Sequence, residues 1–423
     1  MSKRKSSSQA EKPKAAKPLS LPQIVIGTVV TIVILVMGNC VGNQNPPTPT
    51  PTQPPTSTMI AATVPPSINV TASAAVATID PAALVERVTF PLGWGAKHDF
   101  WQVYFTAPSG SRDPSTYVGG IDIALVEAIN GVERTLDIVA YEFNNPAITA
   151  AVIAARQRGV RVRVVTDNED GLADDNTTLN QLQAAGIPIV TDTRSALMHN
   201  KFMILDSATV VTGSWNFTIN DTYRNNNNTL FLRSQDAVID YQAEFNEMFI
   251  EGRFGPTSPR NTISSDFTLN GIPVQLFMGP EDDPMPGMVN AVSQAQHSVR
   301  FMAFSFTHAD LRESLLELAA RGVSVEGIFE TTGSTTQHSA MPPLFCAGLD
   351  VRQDGNSFVL HHKVFIIDET TVALGSFNFS NNAANSNDEN LIIISDPLLA
   401  GIYLDEFHRR WQEAVIPSNL TCS

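Results

Sequence analysis

One short pattern occurs twice in this chain at a constant spacing. Met198-His-Asn-Lys-Phe-Met-Ile-Leu-Asp206 recurs as Leu360-His-His-Lys-Val-Phe-Ile-Ile-Asp368. Gly213-Ser-Trp-Asn-Phe-Thr218 recurs as Gly375-Ser-Phe-Asn-Phe-Ser380. Both pairs are offset by 162 residues, as are Asn228 and Asn390. Upstream, Ala140-Tyr-Glu-Phe143 matches Ala303-Phe-Ser-Phe306, and Arg158-Gly-Val160 matches Arg321-Gly-Val323, now offset by 163. Val103–Pro108 and Val274–Pro280 correspond only loosely, with extra loop residues (109–120) in the first copy. A repeat of this length is a duplicated domain, not a solenoid, whose units run at roughly 20–50 residues. The chain therefore folds as two similar halves.

Each half has an α/β rhythm. Leu136–Phe143 reads as a strand, Ala147–Arg158 as a helix ended by Gly159, and Val160–Thr166 as an alternating strand. Leu179–Ala185 is a second helix and Ile187–Thr191 a further strand. The other half repeats this with Val299–Phe306, Leu311–Arg321, Val323–Phe329 and Leu344–Ala347. Helices over Tyr241–Phe249 and Leu398–Trp411 close the halves. Strand–helix alternation of this kind implies sheets covered by helices.

The repeated pattern is His-x-Lys-x-x-x-x-Asp: His199, Lys201 and Asp206, then His361, Lys363 and Asp368. It enters apolar runs that read as strands, Phe202–Leu205 and Val364–Ile367. Residues two apart on a strand share a face, so each His and Lys emerge together, while Asn200 and His362 point away. A hairpin into the Gly-Ser-x-Asn segment predicts Ser214 and Asn216 near His199, and Ser376 and Asn378 near His361.

A single His-x-Lys-x4-Asp is weak evidence. Two copies, each followed at the same distance by Gly-Ser-x-Asn-x-(Ser/Thr), are specific. Over roughly residues 95–415 the chain resembles the phospholipase D superfamily of phosphodiesterases, defined by this duplicated motif. The resemblance implies an α/β fold of two pseudo-symmetric halves. Each is a mixed β-sheet flanked by helices, with the active site at their interface, all within a monomer. It implies catalysis by His199, Lys201, His361, Lys363, Asn216 and Asn378, with no cofactor and no metal. Lysines neutralise the non-bridging oxygens, and the asparagines donate to them. One imidazole attacks phosphorus, giving a phosphohistidine. The other protonates the leaving oxygen and then activates water. By resemblance the nucleophile is His199 and the acid/base is His361. Two imidazoles in opposite protonation states predict a bell-shaped pH profile near the unperturbed value of about 6.5.

The halves differ at one position. Twenty-eight residues after each motif His stand Asn227 and Glu389. In similar enzymes a carboxylate here orients the His, which predicts that Glu389 supports His361 and that His199 has only an amide. Asp206 and Asp368 precede turns and read as caps rather than catalysts. Trp215 and Phe377 read as core. His98, His297, His308, His338 and His408 read as surface residues, and Asn225 and Asn226 as a solvated loop.

The N-terminus carries a different message. The first 20 residues have six Lys or Arg against one Glu, a net of +5, so the remainder carries −20. An apolar run, Ile24–Met37, follows. It reads as a signal peptide or a signal anchor (a transmembrane segment), with its basic end inside. Met37-Gly38-Asn39-Cys40 resembles a lipoprotein box, with Asn39 as a departure. A Pro/Thr tract then forms an extended spacer. The predicted organisation is a basic tail (1–20), an anchor (21–41), a linker (42–82), a first half (83–260) and a second half (261–423). This places the enzyme outside the cytoplasmic membrane and tethered to it, where Cys346 and Cys422 are able to pair. A net charge of −15 argues against a general nucleic-acid coat. The expected substrate is therefore a phospholipid head-group diester. A nuclease of the same superfamily is the alternative, and a cardiolipin-synthase-like phosphatidyltransferase a further one.

Overall fold

The computed structural model describes residues 85–418 and 420–422. The basic tail, the anchor and the whole of the linker lie outside the described residues. Among the described residues, no helix is long and apolar enough to cross a membrane.

Two sheets carry the fold. The first contains β1 (Glu86–Phe90), β2 (Gly93–His98), β3 (Trp101–Thr106), β4 (Thr135–Ala140), β5 (Arg161–Asp167), β6 (Ile189–Asp192), β7 (Lys201–Leu205), β8 (Thr209–Gly213) and β9 (Asn228–Leu232). The second contains β10 (Asp266–Leu269), β11 (Ile272–Gly279), β12 (Ser298–Ala303), β13 (Ser324–Phe329), β14 (Asp350–Gln353), β15 (Lys363–Ile367), β16 (Thr371–Gly375) and β17 (Glu389–Ile394). Their orders are β1-β2-β3-β9-β8-β7-β4-β5-β6 and β10-β11-β17-β16-β15-β12-β13-β14. Apart from the extra edge strand β1, the second order repeats the first. β4-β5-β6 and β12-β13-β14 are parallel and the other pairings antiparallel, so both sheets are mixed. The edge strands β1 and β10, and β2 beside β1, are additions to the elements expected from sequence.

Helices cover both faces. Outside the first sheet lie α1 (Asp122–Asn130), α2 (Pro146–Gln157) and α3 (Leu179–Ala184), with the short α4 (Ile219–Tyr223) at its edge. After β9 comes α5 (Gln235–Asn246). Outside the second sheet lie α6 (Pro284–Ser293), α7 (Ala309–Ala320) and α8 (Met341–Cys346), followed by the short α9 (Asn381–Asn385) and the long α10 (Pro397–Glu413). The inner faces of the two sheets share one apolar core with α5 and α10. That shared core explains why β7 and β15 are buried along their whole length: both faces of each sheet are covered. Trp215 and Phe377 are core residues, as expected.

The hairpins that follow the motif strands turn at Asp206-Ser207 and Asp368-Glu369, all four with positive φ. Asp206 accepts from the backbone N–H groups of Glu133, Arg134 and Thr135, at 2.7–2.9 Å. Asp368 does the same for Gln296, His297 and Ser298. These aspartates pin the turn to the start of the neighbouring strand, and those bonds hold both carboxyls below the usual carboxylate range. Asp206→Ala strands three N–H donors and places a Cβ-branched-free but non-glycine residue at positive φ. The expected loss is about 1–3 kcal/mol of stability with kcat retained, read by thermal unfolding and assay. Gly213 and Gly375 sit where a Cβ would come within 2.4 Å and 2.2 Å of the carbonyls of Asn228 and Asn390. The glycine opening each Gly-Ser-x-Asn segment therefore lets β8 and β16 close onto their neighbours. Cys346 and Cys422 form a disulfide that ties the C-terminal tail to α8.

Candidate active site

Both motif strands begin at the seam between the halves. Short parallel bridges join Met198 to Asp388 and Leu360 to Asn226. The His199 N–H donates to the Asp388 carbonyl (3.0 Å), and the Asp388 N–H to the Leu197 carbonyl (2.9 Å). The other seam mirrors this: the His361 N–H donates to Asn226 (2.9 Å) and the Asn226 N–H to Val359 (2.8 Å). Arg194 ion-pairs with Asp192 at 2.7 Å and with Asp388. The approach to each motif is fixed by a carboxylate: Met198 N–H donates to Asp167 (3.1 Å) and Leu360 N–H to Glu330 (2.7 Å).

These bridges exchange the support residues between the halves. His199 Nδ1 lies 2.8 Å from both carboxylate oxygens of Glu389, and His361 Nδ1 lies 2.9 Å from Asn227 Oδ1. This corrects the sequence reading. Glu389 supports His199, and the amide of Asn227 supports His361, because each motif strand pairs with the other half. Ser214 and Ser376 shift roles for the same reason. Ser376 Oγ donates to Glu389 (2.7 Å) and Ser214 Oγ to Asn227 Oδ1 (2.8 Å), so each serine acts through the partner of the opposite imidazole. Asn227 also donates from Nδ2 to the Asp221 carbonyl (3.1 Å). Its Oδ1 is thereby turned to accept from His361 Nδ1–H, leaving Nε2 toward the cleft.

Sequence reasoning missed Asp221. Its Oδ2 lies 3.4 Å from His361 Nδ1 and accepts from the Asn216 N–H at 2.9 Å. The corresponding position in the second half is Ala383. Each imidazole thus has one carboxylate, bonded directly at His199 and set further off at His361. An Asp in one copy opposite an Ala in the other was the available signal.

The lysines are buried beside their histidines. Lys201 Nζ donates to the His199 carbonyl (2.7 Å) and Lys363 Nζ to that of His361 (2.8 Å). Tyr141 and Phe304, equivalent residues, present their rings to Lys201 and Lys363 at 4.9 Å and 4.6 Å. They also pack edge-on against His199 and His361. The side-chain oxygens of Asn216 and Asn378 are buried without a protein partner, so an incoming ligand is free to orient both amides. His362 and Asn200 do point away, as expected, into a buried layer beneath the site: Asn228 lies 2.9 Å from His362 Nδ1, and Asn390 donates to Asn200 at 2.7 Å. Asn226 is buried in the seam rather than in a solvated loop.

Charge sets the protonation. Burial pushes the His199 and His361 imidazoles well below their usual value, and Lys201 and Lys363 push the same way. Burial also raises Glu389 to about 8, against the pull of Lys201, and lowers Lys201 to about 8. Lys363 is driven well down by burial and by Lys201. Two lysines are thus crowded in a buried site, each lowering the other's hold on its proton or that of the neighbouring imidazoles.

The phospholipase D-like domain described for cardiolipin synthase matches this chain twice, over residues 125–249 and 288–411. The chain belongs to the phospholipase D superfamily. It is 37% identical over 119 residues to a mitochondrial cardiolipin hydrolase of Xenopus tropicalis, an alignment covering 28% of this chain and 56% of that protein. It is 34% identical over 117 residues to a phospholipase D of Rickettsia prowazekii, covering 28% and 57%. The chain thus spans just over half the length of these relatives. The crystal structure of phosphatidylserine synthase from Haemophilus influenzae superposes with a TM-score of 0.55 at 16% identity, covering 71% of this chain and 86% of that one. That likeness bears on the two-halved fold alone.

Proposed function

We propose that this protein is a phosphodiesterase that hydrolyses a phospholipid head-group diester through a phosphohistidine on His199. The observation that carries this reading is the pair of buried His-Lys sets meeting at one seam, each imidazole held by its Nδ1. His199 Nε2 attacks phosphorus in line, forming the P–N bond as the P–O bond to the leaving alcohol breaks. His361 Nε2–H gives its proton to that oxygen. It then takes a proton from water, whose oxygen attacks phosphorus and releases His199. Lys201 and Lys363 supply the positive charge that the anionic transition state requires. The direct Glu389 contact supports His199 as nucleophile, since a carboxylate stabilises the imidazole as it gains positive charge.

The surroundings favour a lipid over a polyanion. Glu142, Asp170 and Asp174 line a small cleft on the first-half side, and Glu142 lies close enough to Lys201 to lower that lysine's acidity. Acidic walls repel successive phosphates but tolerate a neutral or zwitterionic head group. The Cys346–Cys422 disulfide and the apolar run at 24–37 support an extracytoplasmic, membrane-tethered enzyme. The test is incubation of full-length protein with phosphatidylcholine and cardiolipin vesicles and, separately, with supercoiled DNA, using His199→Asn as control. Head-group release by the wild type alone is expected. DNA nicking without lipid cleavage would overturn the lipid reading in favour of a nuclease. Phosphatidyl transfer to an alcohol without hydrolysis would overturn it in favour of a transferase.

The pH profile follows from counting protons. The reactive form carries one proton on His199 Nδ1, two on His361 and none on Glu389. In the free site burial keeps that third proton on Glu389, to about pH 8, and substrate anion lets His361 take it. Above about 8 the proton is lost, and Lys201 loses its charge in the same range. A fourth proton binds only well below 6.5, because both imidazoles are depressed. So kcat/KM is expected to stay flat through pH 6.5 and to fall above about 8, rather than to form a bell centred at 6.5. A steep rise between pH 6 and 7 would contradict this.

A further inference from the structure

Beneath the active site, the two closing helices occupy equivalent places but are neutralised differently. In α10, Glu406 is fully buried and lies 3.0 Å from Arg410, and Trp94 Nε1 donates to it at 2.8 Å. The equivalent carboxylate in α5 is Glu244, also buried. The position equivalent to Arg410 is Met248, and that equivalent to Arg409 is Glu247. The first half thus has no guanidinium where the second has one, and has an additional carboxylate instead. A third, Glu281, arrives from the loop after β11. Single oxygens of Glu244, Glu247 and Glu281 lie within 4.8 Å of one another. No lysine, arginine or histidine among the described residues forms an ion pair with any of the three.

A second observation points to a ligand. Glu247 is only 2% exposed, yet its Oε1 has no partner, and neither has the buried Oε2 of Glu281. Asn200 Nδ2 donates to Glu244 (2.9 Å) and Asn261 Nδ2 to Glu247 (3.1 Å), the Ser258 hydroxyl also bears on Glu247, and Glu244 faces both other carboxyls. Buried carboxylate oxygens facing one another are costly unless a cation or protons lie between them.

We propose that Glu244, Glu247 and Glu281 bind a hard divalent cation, of the calcium or magnesium type, which takes the place that Arg410 fills in the other half. An all-oxygen, carboxylate-rich set suits such ions rather than zinc or copper. The ion is structural. It ties α5 of the first half to the β11–α6 loop of the second. Through Glu244, Asn200 and Asn390 it underlies the strands that carry His199 and Glu389.

The test uses the full-length protein, stripped with EDTA and returned to metal-free buffer at pH 8. CaCl2 and, separately, MgCl2 are titrated in by calorimetry and followed by thermal unfolding. One of the two salts is expected to bind at one ion per chain and to raise the melting temperature. Glu247→Gln and Glu281→Gln are each expected to weaken binding on the order of 10–100-fold or more. Met248→Arg, which restores the guanidinium, is expected to abolish binding and to match in EDTA the stability of the ion-loaded wild type. Should Met248→Arg not fold, the two glutamine variants still decide. The proposal is overturned if neither salt binds stoichiometrically or shifts melting. It is equally overturned if binding survives both glutamine variants, or if those variants gain the same stability with and without the ion, as shared protons would require.

Discussion

Glu389→Gln is expected to lower kcat on the order of 10³–10⁴-fold while leaving the fold intact. The size comes from a tautomer reversal. Ser376 Oγ donates to Glu389 Oε2 in the wild type, and both carboxylate oxygens face His199 Nδ1. A glutamine there offers its one oxygen to Ser376 and its NH2 to the imidazole. The imidazole then accepts at Nδ1, and its proton moves to Nε2, the atom that must attack phosphorus. Had Glu389 served His361, the same variant would impair leaving-group protonation instead, and a substrate with an acidic leaving group would rescue it. No such rescue is expected. Assays with alkyl and p-nitrophenyl phosphodiesters distinguish the two.

The second large effect belongs to the lysines. Lys201→Met and Lys363→Met are each expected to cost on the order of 10²–10³ in kcat/KM, the range for losing one preorganised charge at a developing anion. A purely structural role would also lower activity, so a second readout is needed. Both lysines depress the His199 and His361 imidazoles. Removing either one is expected to raise both imidazole pKa values, measured by NMR titration of the folded variants. Unchanged imidazole titration would show that the lysines do not share the site's electrostatics.

Much of this was legible in the sequence because it depends on local pattern. The spacing of two between His199 and Lys201 places both on one face of a strand, and the structure keeps them together. The buried runs after Lys201 and Lys363 are central strands. The same loop-strand-helix rhythm appears in both sheets. What the sequence could not show was how the duplicates assemble. An offset of 162 aligns Glu389 with Asn227, but says nothing about which half each one faces. The seam bridges at Met198–Asp388 and Leu360–Asn226 decide that, and they join residues about 130–190 apart. Asp221 was hidden because its service to His361 runs across the same seam. The edge strands β1 and β10 were hidden for another reason: they alternate between exposed and half-buried residues and carry little apolar signal. The three glutamates beneath the site come from a helix end and a loop 34 residues further on, so no compact motif announces them.

If His199 is the nucleophile, a covalent intermediate forms on it and can be trapped. A phosphatidyl p-nitrophenyl diester needs no protonation of its leaving group, so His361→Asn can complete the first half-reaction and stall before hydrolysis. Rapid mixing of that variant is expected to give a burst of one equivalent of p-nitrophenol, and mass spectrometry of the quenched protein to place the phosphoryl adduct on His199. His199→Asn is expected to show neither burst nor adduct. A burst in His199→Asn, with the adduct on His361, would contradict the assignment and exchange the roles of the two halves.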